Sequence, residues 1–385
     1  MNVLWINPSF LDYRIPMYTE LKKLFEGNFN LLYSKHRVPE RCHNRIVEEL
    51  GENAHYLTSE KIYKFGNTNS DFANSSLSIP FPTGLYKNIK KIRPEAIIAE
   101  GFFQFTPWAV IYSFIHRIPL FIAYERTEHT ERNCPIWRKL YRRFIGLFVD
   151  GYVANGVLTK RYLISQGVNE KKVFTGGMCA DSKRLKIYSQ NMSENDKDFF
   201  SKSIGLNHIS GIRYIYVGRI IKLKGINYLL DAWLEHLKEY PNDEILIVGE
   251  GDLLESYISQ YQNVPSIKFM GSADYSEIYK YYAISDVFII PTLEDNWSLV
   301  VPEAMACGLP IACSIYNGCH PELVKQGKNG YTFDPLIKKS IIECLGKFHN
   351  SNIENMGTKS IEIESNFSPE KTAQNVKSML DTLIN

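Results

Sequence analysis

The sequence predicts two α/β domains, each a doubly wound parallel sheet with helices on both faces. Short apolar runs alternate with amphipathic, helix-period stretches from end to end, the pattern of strand–helix–strand crossovers. That alternation lapses once, from about Asp181 to Ser210, and then restarts. A chain of 385 residues, 44% hydrophobic, is also longer than one core usually organises.

In the first half the spacing predicts strands at Val3–Ile6, Phe29–Tyr33, Ala96–Ala99, Leu120–Tyr124 and Gly151–Ala154. Their near-continuous apolar character suits strands buried on both faces. Between them, Met17–Phe25, Leu85–Ile92, Pro107–Ile115 and Leu158–Ser165 read as helices. The polar stretch "YSQNMSENDKDFF" reads as part of an interdomain linker. Strands resume at Arg213–Gly218, Glu244–Gly249, Ile267–Gly271, Asp286–Pro291 and Pro310–Ser314. A last helix, Ser368–Ile384, opens with Ser-Pro-Glu, a helix start signal. The expected domains are 1–182 and 183–366, with the 367–385 helix packing back on the first. Two such sheets are expected to face each other across a cleft at the C-terminal ends of their strands, where open α/β sheets bind ligands.

Composition narrows the function. Residues 1–180 hold 24 Lys and Arg against 16 Asp and Glu, and the remainder 20 against 26. A basic first half favours anionic neighbours, phosphates or a lipid surface. No nucleic-acid motif accompanies the charge, so nucleic acid is not expected as a partner. Seven cysteines, without any C-x-x-C, indicate neither a disulfide framework nor a zinc site. Met1 leads straight into a strand rather than a signal peptide, and "TPWAVIYSFIHRIPLFIAY" is broken by His116, Arg117 and Pro119. The expected location is the cytoplasm, with a peripheral place on the membrane's inner face as its extension.

The segment "LEDNWSLVVPEAMACG" follows a strand and reads as a loop and helix. Ser298 is the expected N-cap, with Pro302 in the first turn and the free amides of Leu299, Val300 and Val301 forming an anion site. Glu303 lies one turn in and leans back toward that site. Beside a phosphate it helps only by accepting hydrogen bonds from neutral groups such as ribose hydroxyls. Asp295, eight positions earlier, suits hydroxyls at the other end of a sugar–phosphate–ribose ligand. Alone, it could merely complement the helix dipole. In "YVGRIIKLKGINYLLDAW", Gly218 ends a strand, and Arg219 and Lys224 lie in the loop before a helix. Two cations beside glycines suit a diphosphate leaving group, though a basic pair is also common on solvated surfaces. "VGEGDLL" lacks the third glycine of a dinucleotide fingerprint and is placed on the nucleotide side instead.

Taken in order, "VGR…KG…LLDAW", "EDNWSLVVPEAMACGLPI" and "NGCHPELVKQGKNGYTFD" resemble the C-terminal domain of the retaining family 4 glycosyltransferases, which have the GT-B fold. The resemblance covers Arg213 to Asp334. It implies that Arg219 and Lys224 hold a donor diphosphate, that Glu303 holds the ribose, and that the Leu299 and Val300 amides cap the phosphate. Asp295 matches the first acid of the family's E-x7-E motif, which touches the donor sugar. Glu294, just before it, is a substitute, and Met270 is placed on the donor side. The first half resembles the family only in its strand–helix layout. Where many members carry a Gly-Gly loop, this chain has "NPSFLDYRIP", so Arg14 or Asp12, with Glu100 at a neighbouring strand end, is expected on the acceptor side. His129, in "AYERTEHTERN", matches the rough location of the family's cleft histidine; its other reading is an ordinary loop histidine.

The resemblance implies a retaining transferase of hexosyl or N-acetylhexosaminyl groups, from a UDP- or GDP-sugar to a glycan or lipid-linked acceptor in polysaccharide biosynthesis. No metal or other cofactor is expected. The helix "WRKLYRRFIGLF" carries Arg138, Lys139, Arg142 and Arg143, which either meet an anionic bilayer or form a solvated face. Two rival functions stay open: a glycoside hydrolase using Asp295 and Glu303, and a non-catalytic subunit that binds a nucleotide sugar.

Overall fold

A computed structural model describes residues 1–66, 72, 74 and 76–384. The chain divides into two compact units, Met1–Asp181 with Phe367–Asn385, and Ser182–Asn366.

The first unit runs β1 (Val3–Ile6), α1 (Ile15–Leu24), β2 (Phe29–Ser34), α2 (Glu40–Leu50), β3 (Ala54–Leu57), β4 (Lys61–Gly66), β5 (Ser76–Phe81), α3 (Leu85–Ile92), β6 (Ala96–Glu100), α4 (Thr106–His116), β7 (Leu120–Tyr124), α5 (Ile136–Gly146), β8 (Gly151–Ala154), α6 (Val157–Ser165) and β9 (Val173–Thr175). Seven strands form a parallel sheet ordered β3-β2-β1-β6-β7-β8-β9, with β4 and β5 as a separate antiparallel hairpin. Side chains of β1 alternate between two cores because strand side chains point to opposite faces. Val3 and Trp5 join the core beneath α1 and α2, while Leu4 and Ile6 join the one beneath α3, α4 and α6.

The second unit runs α7 (Lys183–Asn191), α8 (Glu194–Ser203), β10 (Arg213–Val217), α9 (Ile226–His236), β11 (Glu244–Val248), α10 (Leu254–Tyr261), β12 (Ile267–Gly271), α11 (Ile278–Ala283), β13 (Val287–Ile290), α12 (Val300–Ala306), β14 (Ile311–Ser314), α13 (His320–Leu323), β15 (Gly330–Phe333), α14 (Lys338–His349) and α15 (Ile353–Glu364). Its six strands are parallel and ordered β12-β11-β10-β13-β14-β15. Counted within the unit, that is the 3-2-1-4-5-6 order of a nucleotide-binding α/β sheet, whose order reverses beside β10. The chain then returns to the first unit as α16 (Pro369–Ile384). There Ala373, Val376, Met379 and Leu380 are fully buried in the core that α1 covers.

Two expectations are corrected. The stretch from Asp181 to Ser210 is not an interdomain linker: α7 and α8 occupy most of it. A capping box, in which the Ser193 hydroxyl accepts from the Asp196 amide and Asp196 accepts in return, starts α8 despite its polar composition. Nor does α5 present four cations to solvent. Arg138 and Arg142 are buried, and Arg142 Nη1 donates to Glu131 Oε2 at 2.6 Å and to the Tyr162 hydroxyl oxygen at 3.1 Å. Burial works against the Arg142 charge, but Tyr124 and Glu131 beside it hold the guanidinium above its ordinary pKa. The exposed face of α5 is largely apolar instead.

Candidate functional site

In the second unit the candidate residues gather at the C-terminal ends of β10, β11 and β13. Two glycines let the loops there pack backbone against backbone. Gly249 follows β11 with φ 148°, and a Cβ on it would stand 1.9 Å from the Gly218 carbonyl oxygen. Gly225, with φ 66°, precedes α9, where a Cβ would meet the Pro291 carbonyl oxygen at 2.3 Å. Backbone bonds from Gly218 to Val248 (3.0 Å), Ile220 to Glu250 (2.7 Å) and Leu293 to Leu223 (2.9 Å) lock these loops together.

On that platform Lys224, in a short 3-10 turn, donates from Nζ to Asp295 Oδ2 at 2.6 Å. The Ser298 hydroxyl donates to the same oxygen at 2.6 Å, and the Trp297 amide donates to Oδ1 at 3.0 Å. The Asp295 backbone is pinned as well: its amide donates to Tyr316 O at 3.3 Å, and its carbonyl accepts from Gly318 at 2.9 Å. Asp295, read from sequence as a contact of the donor sugar, and Lys224, read as a contact of the diphosphate, are thus direct partners. Ser298 is not the helix cap. That position falls to Leu299, which already has helical angles, while the Ser298 hydroxyl is turned to Asp295. The Val301 amide is paired with Ser298 O at 3.3 Å, so the amides at the helix start are those of Leu299 and Val300.

Arg219 is exposed, and its backbone is fixed by the fully buried Tyr216, whose hydroxyl donates to Arg219 O at 2.8 Å. Glu303, in the first turn of α12, accepts from the Tyr275 hydroxyl at 3.4 Å. Glu294 is buried, its carbonyl accepting from the Thr292 hydroxyl at 3.2 Å, and Met270 lies half-buried in the edge strand β12. Sequence reasoning passed over Asn317, which is fully buried. Its side-chain oxygen accepts from the Ser298 amide at 3.3 Å and the Cys319 amide at 3.4 Å. Its only signal was its place in "NGCHPE", within a stretch quoted for the resemblance.

In the first unit a pocket of about 250 Å³ opens at the ends of β1, β6 and β7, with Asn7, Tyr13, Arg14, Glu100, Glu125 and Arg126 among its lining residues. Arg14 and Glu100 meet there. The buried guanidinium lies 3.7 Å from Glu100 Oε1 and donates to Gly177 O at 3.1 Å, while Trp5 Nε1 donates to Glu100 Oε1 at 3.1 Å. Burial raises the Glu100 pKa above the usual carboxylate range, against the pull of Arg14. Burial also opposes the Arg14 charge, yet Glu100 and nearby tyrosines keep its pKa above the ordinary value. Asp12 is not among the lining residues and pairs with the exposed Arg41 at 2.8 Å. Nor is His129. It lies in the turn beyond β7, where its carbonyl accepts from the Arg132 amide at 3.3 Å.

Residues 200–360 match the family model described as glycosyl transferases group 1. The chain is 27% identical over 200 residues to alpha-monoglucosyldiacylglycerol synthase of Acholeplasma laidlawii, covering 51% of this chain and 44% of that protein. It is 32% identical over 184 residues to spore coat protein SA of Bacillus subtilis, covering 43% and 48%. The matched stretch thus spans less than half the length of either relative. Among solved structures, Anabaena Alr3699/HepE in complex with UDP superposes over 100% of both chains with a TM-score of 0.76 at 16% identity. The lipopolysaccharide outer core galactosyltransferase WaaB, in its apo form, superposes over 99% of each with a TM-score of 0.70 at 12% identity. The chain therefore has the GT-B fold of two Rossmann-like domains, and its second unit carries the stretch that matches glycosyl transferases group 1.

Proposed function

We propose that the protein is a glycosyltransferase that takes a sugar from a nucleotide diphosphate donor, UDP- or GDP-linked, and passes it to a glycan or lipid-linked acceptor in polysaccharide biosynthesis. The observation that carries this reading is the Lys224–Asp295–Ser298 constellation at the strand ends of a unit that matches glycosyl transferases group 1. It supports a preorganised cation for a leaving diphosphate. Lys224 and Arg219 stabilise the departing charge, with the Leu299 and Val300 amides alongside. Glu303, with Tyr275 as its neighbour, accepts ribose hydroxyls. Asp295 acts on the donor by holding Lys224 in place. Both its carboxylate oxygens already accept hydrogen bonds, which favours this role over direct contact with the donor sugar.

We take the transferred group to be hexosyl or N-acetylhexosaminyl and the transfer to be retaining. The positive groups gather on the leaving-group side; in a retaining transfer the acceptor attacks on the face that the diphosphate leaves, and a departing phosphate oxygen takes its proton. His129 is retained as the residue that orients the donor sugar or shields its developing positive charge. The hydrolase alternative needs two carboxylates flanking a glycosidic bond, and the engagement of Asp295 with Lys224 and Ser298 fits it less well. The pocket holding Arg14 and Glu100 is the acceptor-side counterpart within the first unit.

The test is a thermal-shift screen against nucleoside diphosphate sugars, followed by turnover of the best hit and nuclear magnetic resonance of the first product. Stabilisation by one donor and an α-linked product from an α-linked donor are expected. Stabilisation without turnover against any glycan or lipid-linked acceptor would return the protein to the binding-subunit reading. A β-linked product would overturn retention.

A further inference from the structure

We infer that the α4–α5 face of the first unit is a membrane-docking surface that inserts apolar side chains into an anionic bilayer. This goes beyond the donor-site reading and does not rest on it. Soluble monomers rarely leave large apolar side chains clustered in water. Here Ile136, Leu140, Phe144 and Leu147 follow one another at helical spacing along and just past α5, and Ile136 and Leu147 are 74% and 79% exposed. Phe114, on α4, is 70% exposed and sits edge-on to Phe148 just past α5, with ring centroids 5.8 Å apart, and Phe148 in turn meets Phe144 of α5 at 5.5 Å, so the two helices contribute to one surface. Trp137 lies at its side, half-exposed, as an amphipathic ring would at a headgroup boundary.

Charge selects the occupant. Neither α4 nor α5 contains an acidic residue. Arg138 and Arg142 are turned inward, whereas Arg143 and Arg117 are exposed and Lys139 half-exposed beside the apolar row. A second copy would bring the same cations against this face, and like charges repel. An anionic lipid surface complements them. The face also continues into a cavity of about 370 Å³ that has Leu147, Tyr152, Leu163 and Val168 on its walls and Arg143 and Lys172 among its lining residues. Apolar walls with cations suit an acyl chain beneath a phosphate. This cavity shares Phe102 and Arg142 with the strand-end pocket that holds Arg14 and Glu100, so the lipid-facing side adjoins the acceptor-side pocket within one unit.

The experiment is flotation of the full chain with vesicles of phosphatidylcholine alone and of phosphatidylcholine with phosphatidylglycerol. The parent is expected to float with the mixed vesicles, and brominated acyl chains are expected to quench a fluorescence component that Trp137→Phe removes. The triple variant Leu140→Gln, Phe144→Gln, Leu147→Gln is expected to bind at least roughly a hundredfold more weakly. Lys139→Gln with Arg143→Gln is expected to weaken binding by about tenfold or more and to blunt its sensitivity to salt. Failure of the parent to float with either vesicle would overturn the proposal, as would equal flotation of the triple variant. So would a parent dimer that the triple variant dissolves without any vesicle binding. Should the triple variant not fold, the quenching measurement on the parent decides the question.

Discussion

Lys224 Nζ lies 2.6 Å from Asp295 Oδ2, and that oxygen also accepts the Ser298 hydroxyl at 2.6 Å. The pair joins two loops 71 residues apart in sequence, and both side chains are largely enclosed, 15% and 18% exposed. A lysine on a four-carbon stem is ordinarily mobile, and here a carboxylate fixes where its charge stands. Lys224→Ala is expected to lower turnover roughly a hundredfold to a thousandfold, as loss of one transition-state contact does. Asp295→Asn is expected to cost roughly tenfold to a hundredfold, the scale of a misplaced catalytic group. Because the two are in contact, the double variant should fall well short of the product of the single effects. Initial rates of the three variants check this, and independent, multiplying effects would separate Asp295 from Lys224.

Glu303→Gln is expected to weaken binding of the free nucleoside diphosphate by about tenfold, since an amide accepts ribose hydrogen bonds less strongly than a carboxylate. Tyr275→Phe removes the hydroxyl 3.4 Å from Glu303 and should have a smaller effect in the same direction. Titration calorimetry with the diphosphate alone reads both. Unchanged affinity alongside lost turnover would move Glu303 to the sugar end of the ligand.

His320 provides a pH dependence of stability. Burial lowers its pKa to about 4, from an ordinary value near 6.5. In the window between these values the unfolded chain binds the proton and the folded chain does not. Stability from this group is therefore whole above about 6.5 and is lost as pH falls toward 4. The upper bound is about 3.5 kcal/mol at about 1.4 kcal/mol per pKa unit, reduced by the part of the ring that reaches solvent. His320→Gln should flatten the fall in Tm between pH 6.5 and 4 relative to the parent. Parallel Tm curves for the two proteins would contradict the assignment.

A chelator is expected to leave turnover unchanged, because the proposed leaving-group contacts are side-chain cations and amides. Among the described residues, His236, Asp243 and His349 bring ligand-type atoms together, with each histidine Nε2 at 2.8 Å from Asp243 Oδ2. Asp243 immediately precedes β11, at the opposite end of that strand from Gly249, so a divalent ion added or withdrawn there would be read in Tm rather than in rate. Parallel assays of rate and Tm with and without chelator distinguish the two sites. A rate that collapses with chelator and recovers with a divalent ion would put a metal at the donor.

Strand positions were legible because buried parallel strands are continuous apolar runs. Leu120–Tyr124 and Gly151–Ala154 fold with the bounds their sequences suggest, and β1 likewise. The polar helices α7 and α8 were not legible by apolar periodicity, although the Ser193–Asp196 spacing that starts α8 was a signal in plain view. On α5 the error was one of facing. Arg138 and Arg142 are one turn apart on the side that packs inward, and Ile136, Leu140 and Phe144 are one turn apart on the side that does not. Composition suggested the reverse, because it does not reveal the partner: Glu131, in the preceding turn, takes Arg142 into the interior. Motif spacing placed Arg219, Lys224, Asp295 and Glu303 at strand ends. It could not reveal that Asp295 closes on Lys224, or that Arg14 closes on Glu100 from 86 residues away, since both are products of strand order.

The return of α16 to the first unit bears on synthesis at the ribosome. The core that α1 covers closes only when Ala373, Val376, Met379 and Leu380 arrive, well after the rest of that unit has been translated. The second unit, contiguous from Ser182 to Asn366, has all its strands available before then. The unit translated second is thus the one able to mature first, while the unit before it waits with an uncovered apolar flank for α16. During elongation that flank is exposed to chaperones or to aggregation, and a nonsense codon shortly before residue 369 would strand the nascent protein in that state.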